Sequence, residues 1–225
     1  MQSFLPLPLG IRPVSGAKGV SASQQKSAVE KALRRDDYVC RFCGFRAEQY
    51  QRTIACAAAG EPPLATVCTF CEQCLNLERT GIVGAGLLLW LPEITQVELN
   101  HLARAIYVAR ADKGPMAALA TRALDALTAR RSEAKKRLGS DDPLLLATIY
   151  QESLGTDERK AAAAKLEGIR LLPGEKYMVH TPKGDANQFP RIAKYWASAS
   201  GPFALWPTSK WQETLQKAMG SVGNA

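Results

Sequence analysis

Cys40-Arg-Phe-Cys43 and Cys68-Thr-Phe-Cys71 are the two stretches that decide the fold, and a third cysteine, Cys74, follows the second stretch after two residues. All six cysteines of this 225-residue chain lie between Cys40 and Cys74. A disulfide framework in a secreted protein would usually join distant parts of the chain. Cysteines that cluster in C-x-x-C pairs indicate a metal site in a reducing compartment instead.

The spacing of these cysteines is typical of a structural zinc site. In a C-x-x-C turn both thiolates point to one side, about 2.3 Å from a single Zn²⁺ ion, and two such turns complete a tetrahedron. Because the two turns share the form C-x-F-C, we expect their four cysteines to bind the ion, namely Cys40, Cys43, Cys68 and Cys71. Cys74 is then a spare thiol or, in an alternative arrangement, a ligand in place of Cys68 or Cys71. Four thiolates leave no position for water, so the predicted zinc is structural.

The other candidate ligands lie outside this pattern. Cys56 stands alone between the two turns, and we predict that it is a small buried residue. His101 and His180 are the only histidines, and neither lies inside the cysteine-rich stretch. We therefore expect neither a catalytic residue nor a small-molecule substrate.

Length and composition predict one globular domain, or one domain with an appendage. Apolar residues make up 46% of the chain and charged residues 22%, which are ordinary globular values. The longest apolar run, residues 82–91, is half of the about 20 residues that a bilayer span needs, so we expect no membrane insertion. The proline-containing start lacks the basic region of a signal peptide and predicts a flexible lead-in and a cytoplasmic protein.

The net charge of +8 is concentrated in one stretch of the chain. Residues 101–140 contain nine Lys or Arg and three Asp or Glu. Such a surplus predicts a basic face that attracts nucleic acid, anionic lipid or an acidic protein. A solvated helix face that keeps the chain soluble is the alternative, and the sequence leaves both interpretations open.

The segment LRRDDYVCRFCG, residues 33–44, resembles the start of the HNH nuclease module. The resemblance implies a strand pair and a helix held by two zinc knuckles, with a histidine in the hairpin as general base and an asparagine after the last zinc cysteine. This chain has IACAAA at residues 54–59 where the histidines fall, and Glu72 in place of the asparagine. Without a general base, the resemblance predicts a scaffold without nuclease activity.

A second resemblance covers more of the chain. Five motifs follow the order found in the DotN/IcmJ family of type IVB secretion systems, namely RDDYVCRFCGF at 35–45, FCEQC at 70–74, GIVGAGLLLWLP at 81–92, LPEITQVELN at 91–100 and GIRLLP at 168–173. The resemblance implies a cytoplasmic subunit of the coupling complex, peripheral to the inner membrane. It implies docking on the C-terminal extension of a DotL-type coupling ATPase, contact with other coupling-complex subunits, and recruitment of protein substrates or conjugative cargo.

The fold class predicted for the whole chain is α+β, with a small HNH-like zinc-knuckle module followed by a mostly helical region. Thr95-Gln-Val-Glu98 is a capping box that starts a helix. Its apolar stripe, which we expect to be core, consists of Leu99, Leu102, Ile106 and Ala109. A second helix is predicted from Pro115 to Leu138, with basic residues facing outward.

We expect four regions, namely the lead-in (1–28), the zinc-binding HNH-like module (29–93), the helical region (94–180) and an aromatic-rich docking segment (181–225). The last contains Trp196, Trp206 and Trp211, and buried aromatic anchors carry much of the binding energy of an interface. A tail folded back over the helices is the alternative. Ser209 is predicted to start a short amphipathic helix there.

Two functions of different classes follow from these features. The first is a non-catalytic adaptor, in which zinc fixes a rigid module and the helices hold an extended segment of the partner ATPase. The second is a nucleic-acid-binding module, in which the scaffold and the basic helix hold a phosphate backbone without cutting it. The steep salt dependence of phosphate contacts distinguishes the two.

Overall fold

The structure is a computed structural model that describes residues 4–10, 22–56, 62–152, 166–205, 207–208 and 210–211. Its helices are α1 (Ala22–Arg35), α2 (Thr69–Leu75), α3 (Leu77–Ile82), α4 (Gln96–Asp112), α5 (Ala117–Ala129), α6 (Arg131–Leu138), α7 (Pro143–Glu152) and α8 (Phe189–Ala197). Its strands are β1 (Arg52–Ala55), β2 (Leu64–Val67), β3 (Gly86–Trp90), β4 (Ile169–Pro173), β5 (Met178–Thr181) and β6 (Gly184–Asn187). The strands form three antiparallel pairs, β1 with β2, β3 with β4, and β5 with β6. The predicted α+β class is confirmed.

The N-terminal part of the fold is built around the two C-x-F-C turns. The β1–β2 hairpin carries the chain from the first turn to the second, and α2 follows directly after Cys68. The buried carboxylate of Asp36, just after α1, accepts a hydrogen bond of 2.9 Å from the backbone N–H of Thr66 in β2. Helix α1 is thereby fixed against the hairpin, close to Cys40.

The β3–β4 pair joins parts of the chain that are far apart in sequence. The two strands pair along their full length, and both faces of this ribbon are buried. Leu89 and Leu172 lie in the cluster that contains the C-x-F-C turns, α4 and α8. Leu88 and Leu171 lie in a second cluster with residues of α3, α6 and α7. The alternation of side chains along a strand therefore makes this ribbon the wall between two parts of the core.

Helix α4 begins as predicted. The Thr95 hydroxyl accepts a hydrogen bond of 3.2 Å from the Glu98 backbone N–H, and the Glu98 carboxylate accepts one of 2.7 Å from the Thr95 N–H. The capping box is therefore confirmed. The apolar stripe is confirmed in part, because Leu102 is 41% exposed while its other three members are buried. The buried face of α4 points toward the cysteines. It includes the polar side chains of Asn100 and Arg104 in place of Leu102.

The predicted helix from Pro115 to Leu138 is wrong at its centre, because α5 ends at Ala129 and α6 begins at Arg131. The carbonyl of Arg130, at the break, accepts a hydrogen bond of 3.5 Å from the backbone N–H of Trp90 in β3. The N–H of Leu88 donates to the carbonyl of Asp141 over 2.8 Å. Buried backbone N–H and carbonyl groups need hydrogen-bond partners. The edge of β3 that does not face β4 finds them in the residues just before and just after α6.

The glycine-rich motif at 81–92 spans two elements, because residues 81–82 end α3 and β3 begins at Gly86. Residues 22–28, within the expected lead-in, belong to α1. Residues 4–10 lie along the first turn and α3, since the Leu5 N–H donates to the Arg41 carbonyl and the Leu77 N–H to the Gly10 carbonyl. Trp206 and, apart from residues 210–211, the helix predicted from Ser209 lie outside the described residues.

None of the helices in the described ranges combines the length and the apolar character that crossing a bilayer requires. Strands β5 and β6 form the third antiparallel pair, with Met178 opposite Asn187.

Candidate metal centre

The structure brings together the four cysteines predicted to bind zinc, which we call the four-cysteine cluster: Cys40, Cys43, Cys68 and Cys71. All four are buried, and their Sγ atoms lie within 4.8 Å of one another. Cys43 Sγ and Cys68 Sγ are 3.7 Å apart. A tetrahedral zinc site with bonds of about 2.3 Å has edges of about 3.8 Å between its sulfur atoms. The size, burial and donor type of the cluster therefore fit a closed four-thiolate metal site.

Local backbone geometry shapes both turns. In the first, the Cys40 N–H donates to the Phe45 carbonyl and the Gly44 N–H to the Cys40 carbonyl, each over 2.9 Å. Gly44 has φ +74°, a conformation that glycine adopts without strain. In the second turn, Cys68 is the N-cap of α2 and its sulfur accepts a hydrogen bond of 3.5 Å from the Cys71 N–H. A thiolate is stabilised at such a helix start.

The other two cysteines lie outside the cluster. Cys74 is buried, and its sulfur is 3.8 Å from Asn100 Oδ1. Burial raises the pKa of the Cys74 thiol well above its ordinary value. Cys56, which we predicted to be buried, is half-exposed at the end of β1. The geometry thus groups Cys68 and Cys71, and not Cys74, with the cysteines of the first turn.

Helix α4 supplies a row of polar side chains that the sequence reasoning missed, Gln96, Asn100 and Arg104. They recur every fourth residue on the buried face. Asn100 Nδ2 donates to Cys71 Sγ over 3.4 Å, and Gln96 Nε2 donates to Asn100 Oδ1 over 2.9 Å. Gln96 also bonds the backbone N–H and carbonyl of Leu171 in β4, each over 2.8 Å. The i, i+4, i+8 spacing of polar residues beside an apolar stripe was the signal available in the sequence.

Arg104 places a buried positive charge beside the cluster. The residue is 1% exposed, and its Nη2 donates to Cys68 Sγ over 3.3 Å. Burial works to lower the pKa of Arg104, but attraction by the cysteine sulfurs outweighs it and raises that pKa. Burial also works to raise the pKa of Cys68, but hydrogen bonds from the other three thiols and the charge of Arg104 lower it well below its ordinary value. The environment therefore favours a thiolate at this position.

His101 supports the first turn although it is not in the cluster. Its Nε2 lies 2.8 Å from the Cys43 carbonyl, and its Nδ1 lies 3.2 Å from Nη1 of Arg104. A carbonyl can only accept and an arginine can only donate, so these contacts define the tautomer with the proton on Nε2. His101 thus connects Arg104 to the backbone of the first turn. His180 is exposed and contacts Asp185 instead.

Part of the aromatic C-terminal segment packs over this centre. Phe189 and Trp196 of α8 are buried in the same cluster as the C-x-F-C turns. The Trp196 ring makes edge contacts with Phe45 at 5.6 Å and with Phe70 at 5.4 Å between centroids. Phe203 and Trp211 are partly buried against the same cluster. In the described residues, these aromatic side chains are folded back onto the core.

Glu72 stands where the HNH resemblance expects an asparagine, and its carboxylate is occupied by neighbouring side chains. It accepts a hydrogen bond from the Tyr177 hydroxyl and lies 3.6 Å from Nη1 of Arg79. Arg52 Nε donates to the same hydroxyl over 2.7 Å. The position therefore belongs to an internally paired network between α2, α3, β1 and the residues before β5.

The basic residues of the 130–137 stretch are paired with acidic neighbours. Glu93, Glu133 and Asp141 accept these contacts. The ion pairs are Arg130–Glu93, Arg131–Asp141, Lys135–Asp141, Lys136–Glu133 and Arg137–Glu133. Much of the positive charge that the sequence concentrates here is thus compensated locally.

Comparison with known proteins identifies a relative. No protein-family profile matches the chain. The chain is 30% identical over 177 residues to the type 4 apparatus protein DotN of Legionella pneumophila subsp. pneumophila, and the matched region covers 75% of this chain and 82% of that protein.

Proposed function

The chain belongs to the DotN/IcmJ family and is a component of a type IV secretion system, and from this we propose that it is a non-catalytic, zinc-stabilised adaptor subunit of the coupling complex. Its partner is the C-terminal extension of a DotL-type coupling ATPase, together with other subunits of that complex. It helps to recruit protein substrates. We place it on the cytoplasmic side, peripheral to the inner membrane through this partner.

The observation that carries the proposal is the closed four-cysteine cluster. Its four sulfur atoms are buried and within 4.8 Å of one another, a geometry that suits a structural Zn²⁺ ion with no coordination position left for substrate. Bound there, zinc supplies cross-linking between the first turn and the start of α2. Polar side chains from α4 donate to two of the sulfurs. The centre therefore supports a rigid surface for a protein partner better than it supports a reaction.

The scaffold around the centre supports an origin in an HNH-like module. A strand pair, β1 with β2, is followed by a helix, α2; the first cysteine turn precedes the strand pair, and the second lies at the junction of β2 and α2. The position that aligns with the HNH asparagine holds Glu72, whose carboxylate is engaged by Tyr177 and Arg79. In the HNH resemblance the general base is a histidine of the hairpin, and residues 54–59 of this chain contain no histidine. We infer that this module binds its partner without nuclease activity.

Nucleic-acid binding remains the second candidate, because the chain has a net charge of +8. The acidic partners of the 130–137 stretch weigh against it, since their charges reduce the positive potential that a phosphate backbone would meet there. Phosphate binding would show itself by a fall in affinity with a slope of about −0.9 per contact against the logarithm of salt concentration.

Co-purification with the C-terminal cytosolic segment of the coupling ATPase from the same genome tests the proposal. We expect a stoichiometric complex that survives a high-salt wash. The Cys71→Ser variant should lose the complex, whereas the Cys56→Ser variant, altered outside the cluster, should keep it. A wild-type protein that does not bind the ATPase segment but binds duplex DNA in a salt-sensitive manner would overturn the adaptor function in favour of the second candidate.

A further inference from the structure

Arg104 is a buried cation enclosed between sulfur atoms and aromatic rings. On one side its Nη2 contacts Cys68 Sγ at 3.3 Å. On the other side its guanidinium carbon lies 3.7 Å from the centroid of the Phe45 ring, with the rings of Phe70 and Trp196 at 5.3 and 5.5 Å. Its Nε makes no hydrogen bond to the described residues. The environment holds the guanidinium closely but satisfies its donors incompletely.

The charge of Arg104 has no carboxylate partner within ion-pair distance among the described residues; the nearest groups that can become negative are the sulfurs of the cluster, with Cys68 Sγ at 3.3 Å. A buried charge without a partner is strongly unfavourable. Four thiolates around one divalent ion retain a net negative charge, which would compensate this cation. Four protonated thiols carry no charge and would leave the Arg104 cation without compensation.

We propose that Arg104 is the counter-ion of the metal centre and that, through Trp196, it couples metal binding to the packing of helix α8. This inference rests on the metal centre proposed above. Metal binding makes the burial of Arg104 favourable, and that burial completes the aromatic surface on which Trp196 lies. By thermodynamic linkage, the packing of α8 over Arg104 in turn increases the affinity of the cluster for its metal.

The test measures zinc affinity of the full-length chain by competition with a chromophoric chelator. Arg104→Met keeps most of the length and apolar volume of the side chain and removes the charge. We expect this variant to bind zinc at least about tenfold more weakly than wild type. Arg104→Lys keeps the charge and should recover most of the loss. Arg110→Met, on the same helix but paired with Glu175, is the matched control and should leave the affinity unchanged. An Arg104→Met affinity equal to that of wild type overturns the proposal.

A spectroscopic measurement separates the counter-ion role from mere packing. In protein loaded with cobalt(II), Arg104→Met should shift the sulfur-to-metal charge-transfer band to lower energy, because the thiolates lose a cation and an N–H donor, while the tetrahedral d–d bands persist. A residue that only fills space would leave the charge-transfer band in place, and an unshifted band overturns the proposal.

The link to α8 is tested by a double-mutant cycle in zinc affinity. Trp196→Leu should lower the affinity in the wild-type background and have a smaller effect when Arg104 is Met, because the two residues act through one contact. If the two substitutions change the zinc affinity additively, Arg104 and Trp196 are not coupled and this part of the proposal is overturned. If Arg104→Met does not fold, Trp196→Leu is measured alone, and a zinc affinity equal to that of wild type overturns the coupling. A wild-type chain that binds no zinc refutes the metal centre itself, whereas zinc binding without these effects refutes the role of Arg104 alone.

Discussion

At the scale of single residues, burial decides which charged groups matter most. Asp36 and Arg104 are both almost completely buried; Asp36 is paired with Arg35, whereas Arg104 lies against the sulfur of Cys68. Asp37, adjacent to Asp36, is exposed and pairs with Arg46 in solvent. Removing one partner of a buried polar or charged pair leaves the other side chain buried without compensation, which is strongly destabilising. An exposed ion pair contributes little to the free energy of unfolding. The two neighbours in sequence therefore have very different effects on stability.

We expect Asp36→Asn to destabilise the fold by about 1–3 kcal/mol at neutral pH. Burial works to raise the pKa of Asp36, but hydrogen bonds from Arg35 and Thr66 outweigh it and lower the pKa below its ordinary value. The stability contributed by the carboxylate is therefore present above the unfolded pKa of about 3.9 and is lost as pH falls through the folded value. Urea unfolding at several pH values measures this, with Asp37→Asn as the control. Equal destabilisation by both variants would contradict the expectation.

Replacing a single cluster cysteine should abolish metal binding. We expect Cys40→Ser to bind no stoichiometric zinc and to unfold around both turns, because site formation and folding are linked. Cys74→Ser and Cys56→Ser should keep one zinc per chain, since neither sulfur lies in the cluster. Metal content by elemental analysis and thermal melting measure the effect. Normal zinc content in Cys40→Ser, or its loss in Cys74→Ser, would refute this ligand assignment.

At the scale of elements, local signals predict where helices begin better than where they end. The start of α4 is defined by reciprocal hydrogen bonds between Thr95 and Glu98, three residues apart. The end of α5 depends on Trp90, whose N–H bonds the Arg130 carbonyl from 40 residues away in sequence. No pattern within the helix itself contains that requirement.

Removal of the capping hydroxyl should weaken α4 measurably. We expect Thr95→Ala to lower the free energy of unfolding by about 1 kcal/mol, because an N-terminal N–H of the helix loses its acceptor. Thr121→Ala, an exposed threonine within α5, removes the same atoms away from any cap and is the control. Denaturant unfolding should show a loss for the first variant and little change for the second.

At the scale of the whole molecule, the β3–β4 ribbon makes the two core clusters one structure. Leu171 faces the second cluster, yet its backbone is bonded to Gln96, the first member of the polar row that leads to the cysteines. The regions expected at 29–93 and 94–180 each contribute one strand to this ribbon. A disturbance in the second cluster should thus be transmitted to the metal centre.

We expect Leu171→Ala to lower the stability by about 2–5 kcal/mol through the cavity it creates. The midpoint for zinc release should fall together with the midpoint for tryptophan fluorescence, although Leu171 belongs to the second core cluster and the four cysteines belong to the first. Leu145→Ala, at a leucine of α7 that is 40% exposed, is the control. Zinc release that keeps its wild-type midpoint while fluorescence shifts would show that the two clusters unfold independently.

Features that rest on short spacing can be predicted from the sequence. The C-x-F-C turns predict the four cysteines because the ligands of each pair are three residues apart, and the capping box is equally local. The order of motifs predicted the family, which the similarity to DotN confirms. Tertiary structure alone decided the pairing of β3 with β4, the break at Arg130 and the burial of Asn100 and Arg104. Those features depend on which surfaces meet across long stretches of chain, and a polar residue is buried only where a distant partner compensates it.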